Sequence, residues 1–247
     1  ETETAADVIE QRVLHAVGKH VPEDAVVYFS RDQLELAPAA QEKTPQGRKK
    51  PLTPKRVQEL LDLVEGGRAQ KIRGLTSRFL KGVPLGGHAV TGTRYGDPND
   101  RVPHENMRPL RGLYLFYAWL SNTDVKEDNF LDMYVTDPKT KRRFVRHYLI
   151  DFGKALGHQG AITKLQFDGY AQTVQPGLMI QSLFALGLWT RPWDGRVAAA
   201  RYALPMFDAD RFEPAEFQPN VPYTPFDRRD VNDDFWAAKL IMRFDVR

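Results

Sequence analysis

The stretch Asn122–Gly157 constrains this chain most. It reads NTDVKEDNFLDMYV, then TDPKTKRRFV, then RHYLIDFGKALG. Polar residues with chemical potential crowd into two short patterns there. Asp124, Lys126 and Asn129 form D-x-K-x-x-N, and Asp151, Phe152 and Gly153 form D-F-G. Two apolar runs lie between them, split by Asp137-Pro138-Lys139-Thr140-Lys141, which predicts a β-hairpin. Upstream, Leu110, Leu113, Tyr114, Tyr117 and Leu120 recur at helical spacing and predict a helix over His104–Leu120. Pro109 is tolerable only in the first turn of that helix. The stretch is therefore expected to be a loop delivered by a helix and closed by a hairpin.

The rest of the chain sets limits. At 247 residues, with 42% hydrophobic and 27% charged residues, it suits one large or two small globular domains. No apolar run approaches the roughly 20 residues of a membrane span, and the longest, around Gly177–Trp189, is interrupted by Gln181 and Ser182. The absence of cysteine excludes disulfides and thiolate metal sites. A net charge of +3 is only mildly favourable to a polyanionic partner. With neither an initiator Met nor a signal-peptide pattern, the chain is expected to start inside a longer product or after processing.

In order, Glu1–Gly18 predicts a helix. Thr4 is its expected N-cap, with Asp7 in the capping-box position, and Ala5, Ile9, Val13, Ala16 and Val17 form its inward face. Ala25–Phe29 predicts a strand and Gln33–Leu36 another. Gln41–Arg56, with Lys43, Arg48, Lys49, Lys50, Lys55 and Arg56, reads as a solvated loop, or in a sharper reading as an anion-binding patch. Thr53-Pro54 opens a helix to Glu65, with Val57, Leu60, Leu61 and Val64 inward and Gly66-Gly67 ending it. Lys71–Leu80 predicts a strand, Gly82–Gly87 a turn-rich link and Asp97–Asp100 a turn. After Gly157, residues 160–176 read as loop and Leu178–Leu186 as a buried helix. Pro205–Pro225, with its many prolines, reads as an extended strap. A last helix spans Val231–Phe244, capped by Asp230 with Asp233 at the third position, with Phe235, Ala238, Leu240 and Ile241 inward. The expected domains are 1–81, containing the basic insertion 41–56, and 82–247.

Phosphoryl transfer from ATP needs a carboxylate to orient the acceptor, metal ions to neutralise the phosphates, and positive charge near the transferring group. Asp124 fits the first role. Asn129 and Asp151 offer the hard oxygen donors that suit Mg²⁺, and Lys126 can reach a transferring phosphate. Other chemistries find less support. His104-Glu105 does not continue as H-E-x-x-H, because position 108 is Arg, so zinc-protease chemistry is not indicated. His104 and Glu105 read as capping and salt-bridging residues, and His147 as a half-buried strand residue. Trp119, Trp189, Trp193 and Trp236 read as packing residues, and no G-x-S-x-G elbow is present.

On these residues the chain resembles the protein-kinase-like superfamily. The resemblance is to its atypical bacterial branches, the HipA-type and CotH-type kinases and the lipid-kinase-like proteins. It also resembles a group of uncharacterised bacterial proteins that carry runs such as D-P-N-D-x-V-P-H-E, here Asp97–Glu105, and H-Y-L-I-D-F-G, here His147–Gly153. The motif match covers Asp97–Gly157. The resemblance implies an α+β, kinase-like fold, mostly the helical large lobe plus part of a small lobe. It implies Asp124 as catalytic aspartate with Lys126 beside it, and Asn129 and Asp151 as metal ligands. It further implies Mg²⁺ and ATP as cofactors, with a protein, lipid or small-molecule hydroxyl as acceptor, in the cytoplasm or on the envelope side of a bacterium. The His-Arg that precedes the family's catalytic aspartate is Asn122-Thr123 here. Neither G-x-G-x-x-G nor the Walker pattern is present, and no strand lysine precedes the first helix, so the start of the small lobe is expected to lie outside this chain. The acidic partner of such a lysine is Glu1, Glu3 or Asp7. Two alternatives remain: a pseudokinase serving as a binding or scaffold subunit, and, less favoured, a nucleic-acid-associated module using 41–56.

Overall fold

The computed structural model describes residues 2–44, 46–63, 71–157, 168–191 and 213–244. The fold is α+β, with helices and small antiparallel sheets. In chain order the elements are α1 (Thr2–Ala16), β1 (Asp24–Phe29), β2 (Gln41–Lys43), β3 (Lys49–Pro51), α2 (Pro54–Leu63), β4 (Ile72–Ser77), β5 (Val83–Gly86), α3 (Arg108–Arg111), α4 (Leu113–Trp119), β6 (Phe130–Thr136), β7 (Arg143–Leu149), α5 (Pro176–Phe184), α6 (Thr224–Asp227) and α7 (Val231–Ile241). They divide into two compact units: Asp24–Ser77, and Thr2–Glu23 together with Arg78–Arg247. Among the described residues no helix is long and apolar enough to cross a membrane.

In the first unit β1 pairs antiparallel with β4, Asp24 opposite Ser77 and Phe29 opposite Ile72. The segment expected as a basic loop instead carries a second hairpin, β2–β3, turning through Gly47 at φ +76. Two of its basic residues share one acid, since Glu42 bridges Lys50 at 3.1 Å and Arg56 at 3.2 Å. Gln33–Leu36 is not a strand. Arg31–Gln33 is a single 3₁₀ turn, closed by the Gln33 side chain accepting from the Ser30 N–H at 2.8 Å. α2 begins where expected, with the Thr53 hydroxyl accepting from the Arg56 N–H, but no residue on it is buried. Leu60, expected inward, is 38% exposed. Val64, Gly66 and Gly67 lie outside the described residues.

The second unit is built on α1. Its end is a Schellman motif: Gly18, at φ +86, donates to the His15 carbonyl, and Lys19 donates to that of Leu14. The start differs from expectation, because Thr4 lies inside the helix rather than at its cap. The inward face also differs. Ala6, Asp7, Glu10, Gln11, Leu14 and Val17 are buried, while Ile9 is 46% exposed. The buried stripe carries acids with specific partners, so apolarity alone points to the wrong side.

The sheet order is β5-β6-β7, antiparallel. The link expected over Gly82–Gly87 is thus an edge strand, bulged between Pro84 and Gly86. An edge accommodates a proline that has no N–H to donate. The long helix expected over His104–Leu120 is broken into a 3₁₀ turn at His104–Asn106, then α3, then α4. At the second break, a Cβ on Gly112 would sit 2.7 Å from the Trp236 ring of α7. The close approach of that indole requires glycine. Pro109 occupies the first turn of α3, where it is tolerated.

The main core joins Leu14, Phe116, Tyr117, Val125, Phe130 and Phe152. Phe217, Tyr223 and Phe226 enter the same core from the proline-rich strap, whose described part begins at residue 213. α7 is capped as expected, with Asp230 accepting from the Asn232 and Asp233 N–H groups and Asp233 reciprocating. Phe235 faces outward at 67% exposure, while Ala237 and Trp236 pack inward. α5, expected to be buried, has no buried residue. Its Phe184 is 77% exposed among the described residues.

Candidate active site

Two loops meet at the end of α4. The first follows Ser121, which takes φ +50, and contains Asn122–Asn129. The second follows β7 and contains Asp151–Gly157. Three backbone hydrogen bonds join them: Leu156 N–H to Leu120 O at 2.6 Å, Gly157 N–H to Ser121 O at 3.2 Å, and Ile150 N–H to Asn129 O at 3.0 Å. The two sequence patterns, more than 20 residues apart, therefore occupy one place.

Within the first loop the polar side chains are spent on holding its shape. The Asn122 carbonyl oxygen accepts the Asp124 N–H at 3.0 Å, and its amide donates to Glu10 Oε2 at 2.9 Å. The Asn129 amide donates to the Asp124 backbone carbonyl at 2.6 Å. A loop whose ends and middle are tied in this way presents Asp124 in one orientation. The strap braces it from outside, Asn220 donating to the Thr123 carbonyl at 2.8 Å.

Asp124 is buried but charged. Lys126 Nζ lies 2.9 Å from both carboxylate oxygens, and Lys154 Nζ lies 3.4 Å from Oδ2. Burial alone would push its pKa up, but the Lys126 hydrogen bond and the charges of Lys154 and Lys126 more than offset this, and the net shift is downward. Asp151 is exposed, at the mouth of the second loop, with φ +63. A non-glycine residue there carries a backbone cost on the order of 1 kcal/mol. Its neighbour holds it: Phe152 is fully buried, and its N–H donates to Asp7 Oδ2 of α1 at 2.9 Å. Asp124 and Asp151 both act on the buried Tyr117 hydroxyl. Its pKa is raised first by burial, then by Glu10, Tyr223 and these two carboxylates.

Glu10 is fully buried, and burial pushes its pKa up to about 8 despite the Asn122 hydrogen bond. Its Oε1 has no hydrogen-bond partner among the described residues. That is tolerable for an uncharged acid and costly for a carboxylate. The helix thus contributes one neutral acid to the first loop and one acid, Asp7, to the second.

All four residues singled out by pattern, Asp124, Lys126, Asn129 and Asp151, lie at this junction. The sequence assigned no such role to four others. Asn122, Glu10 and Asp7 position the loops, and Lys154 shares the Asp124 carboxylate. Lys154 directly follows D-F-G, so its position was a usable signal. Nothing in the sequence pointed to the partners of Asp7 and Glu10, which lie more than 100 residues away. Of the acids considered as partners for a strand lysine, Asp7 is committed to Phe152. Glu3 lies beside Gly153, where a Cβ would meet its side chain at 3.2 Å. Glu1 lies outside the described residues. The chain matches no protein-family model and no curated protein sequence.

Proposed function

We propose that this chain is the catalytic part of an atypical kinase-like phosphotransferase, which moves the γ-phosphoryl group of ATP to a hydroxyl acceptor. One observation carries the reading. A buried, charged carboxylate, Asp124, is fixed between two lysines and tied by Asn129, at the point where the Asp151 loop returns. In this role Asp124 accepts the hydrogen bond of the acceptor hydroxyl and orients it for in-line attack, receiving the proton as the new P–O bond forms. Its low basicity suits orientation more than early deprotonation. Lys126 and Lys154 offset negative charge on the transferring group. The donor set suits Mg²⁺ in type: Asp151 is exposed, and Asn129, buried and with its side-chain N–H committed to Asp124, would offer its amide oxygen. Asp151 and Asn129 would hold such an ion, whose charge would offset that of the phosphates.

The second reading is a pseudokinase that serves as a binding or scaffold subunit without turnover, favoured by the absence of a glycine-rich phosphate loop from this sequence. Thermal unfolding of the full-length protein separates the two. At Mg-ATP tenfold above its Kd, stabilisation is about 1.4 kcal/mol, a rise of roughly 3–6 °C. Asp151→Ala is expected to remove that rise. Asp124→Asn is expected to keep it while stopping phosphate release from labelled ATP. No rise at millimolar Mg-ATP overturns the enzyme reading; a rise with no turnover in the wild type favours the scaffold.

A further inference from the structure

Up the same hairpin from Asn129 and Asp151 lies a cluster that the proposed reaction does not use. Asp132 of β6 is fully buried and sits directly opposite His147 of β7 in the strand register. His147 Nδ1 is 2.6 Å from Asp132 Oδ1, and His88 Nδ1 is 3.1 Å from Oδ2. One ligand atom from each of the three residues lies within 4.8 Å of the other two. His88 comes from the segment after β5, so three distant parts of the chain converge.

The rings are held before any ligand arrives. His88 stacks on His104, centroids 3.7 Å apart and planes 16° from parallel, and meets His147 edge-on at 4.6 Å. His104 cannot itself be a ligand: its Nδ1 is 2.6 Å from the Ala89 carbonyl and its Nε2 is 2.8 Å from Asp100 Oδ2. It acts as a wall that orients His88. The cluster thus pairs two imidazoles with a buried carboxylate. Its cation is Arg94, one-fifth exposed, whose guanidinium contacts Asp132 and the Gly87 carbonyl.

We propose that His88, Asp132 and His147 form a site for one borderline divalent transition metal of the Zn²⁺ class, with solvent completing the shell. Two imidazoles and one carboxylate suit such ions, whereas Mg²⁺ and Ca²⁺ prefer all-oxygen shells. The site is separate from the Asp124 junction and does not depend on that reading. Because His147 is half exposed, the ion has a path in from solvent. Metal entry displaces the Arg94 guanidinium, which has solvent to swing into. The bound ion ties His88 of the segment after β5 to the β6–β7 hairpin.

The test is binding of Zn²⁺ alone, by calorimetry on metal-stripped protein, with Co²⁺ as a spectroscopic probe. One equivalent of Zn²⁺ is expected, together with visible Co²⁺ absorption of a four- or five-coordinate site. His147→Ala, on an exposed strand position that leaves the core intact, is expected to weaken binding at least a hundredfold. Asp132→Asn, which keeps the shape, does the same. Arg94→Ala removes the competing cation and is expected to tighten binding by about tenfold or more. A hydrogen-bonded trio without a metal function gives a different pattern: no stoichiometric Zn²⁺ in the wild type, or Zn²⁺ retained unchanged in His147→Ala and Asp132→Asn. Either result overturns the proposal.

Discussion

Glu10→Gln isolates the link between α1 and the Asp124 loop. In the wild type the buried Glu10 carboxyl titrates near 8 when folded, against 4.5 when exposed. The folded state therefore binds the proton more tightly. A raised acid contributes stability that is fully present below pH 4.5, declines as pH rises, and is lost by about pH 8. The separation of the two values corresponds to on the order of 5 kcal/mol as a ceiling, lowered wherever water reaches the ionised group. Glutamine keeps an oxygen to accept the Asn122 amide and cannot ionise. Urea unfolding followed by far-UV circular dichroism at pH 5, 7 and 8.5 reads the effect. The stability difference between variant and wild type is expected to shift in favour of Glu10→Gln by about 2 kcal/mol or more between pH 5 and 8.5. Other titrating groups cancel in this double difference. A difference that stays constant over that range would falsify a neutral Glu10 and with it the buried acid–amide bond to Asn122.

Two further outcomes follow from the geometry. Lys126→Met removes the largest of the favourable contacts that keep the Asp124 pKa low. The stability Asp124 contributes is present above its unfolded value near 3.8 and lost as pH falls through the lower folded value. The variant should therefore lose stability at neutral pH, and its Asp124 carboxyl resonance should titrate at higher pH by carbon-detected NMR; an unmoved midpoint contradicts the lysine assignment. Gly112→Ala places a Cβ 2.7 Å from the Trp236 ring and is expected to cost about 1–3 kcal/mol in urea unfolding, relieved when Trp236→Leu is added.

How far the sequence was legible depended on the kind of constraint. The β6–β7 hairpin was readable because turn chemistry at Asp137-Pro138 separates two apolar runs, and α7 because Asp230 and Asp233 cap it reciprocally. β5 was not, since glycine and proline argue for a turn and only pairing with β6 makes Val83–Gly86 a strand. α1 was legible as a helix but not in its facing. Its buried side holds Asp7 and Glu10, whose partners Phe152 and Asn122 are chosen by the tertiary fold. α5 misled in the opposite sense: an apolar run predicts burial, and among the described residues it finds none. For the site, Asp124, Asn129 and Asp151 carry their meaning in short spacing, whereas the His88, Asp132 and His147 cluster does not. Its members are 44 and 15 residues apart along the chain, and they meet through the Asp132–His147 strand register and the segment after β5 that carries His88.

That register is the element on which both candidate sites depend. Side chains alternate across a strand, so a slip of one residue would send every one of them to the opposite face. Phe130 and Asp132 point to the side of the main core, Leu131 and Met133 to the smaller cluster with Leu80 and Tyr148. A slip would bury Leu131 and Met133 where Asp132 now meets its histidines. It would also move Ile150 off Asn129, pulling Asp151 from the Asp124 loop. The turn resists this. The Asp137 side chain accepts from the Lys139 and Thr140 N–H groups at 2.8 and 2.7 Å, and its own N–H donates to Arg142 O. A short run of turn residues, with no catalytic group of its own, thus fixes the juxtapositions of Asp132 with His147 and of Asn129 with Ile150.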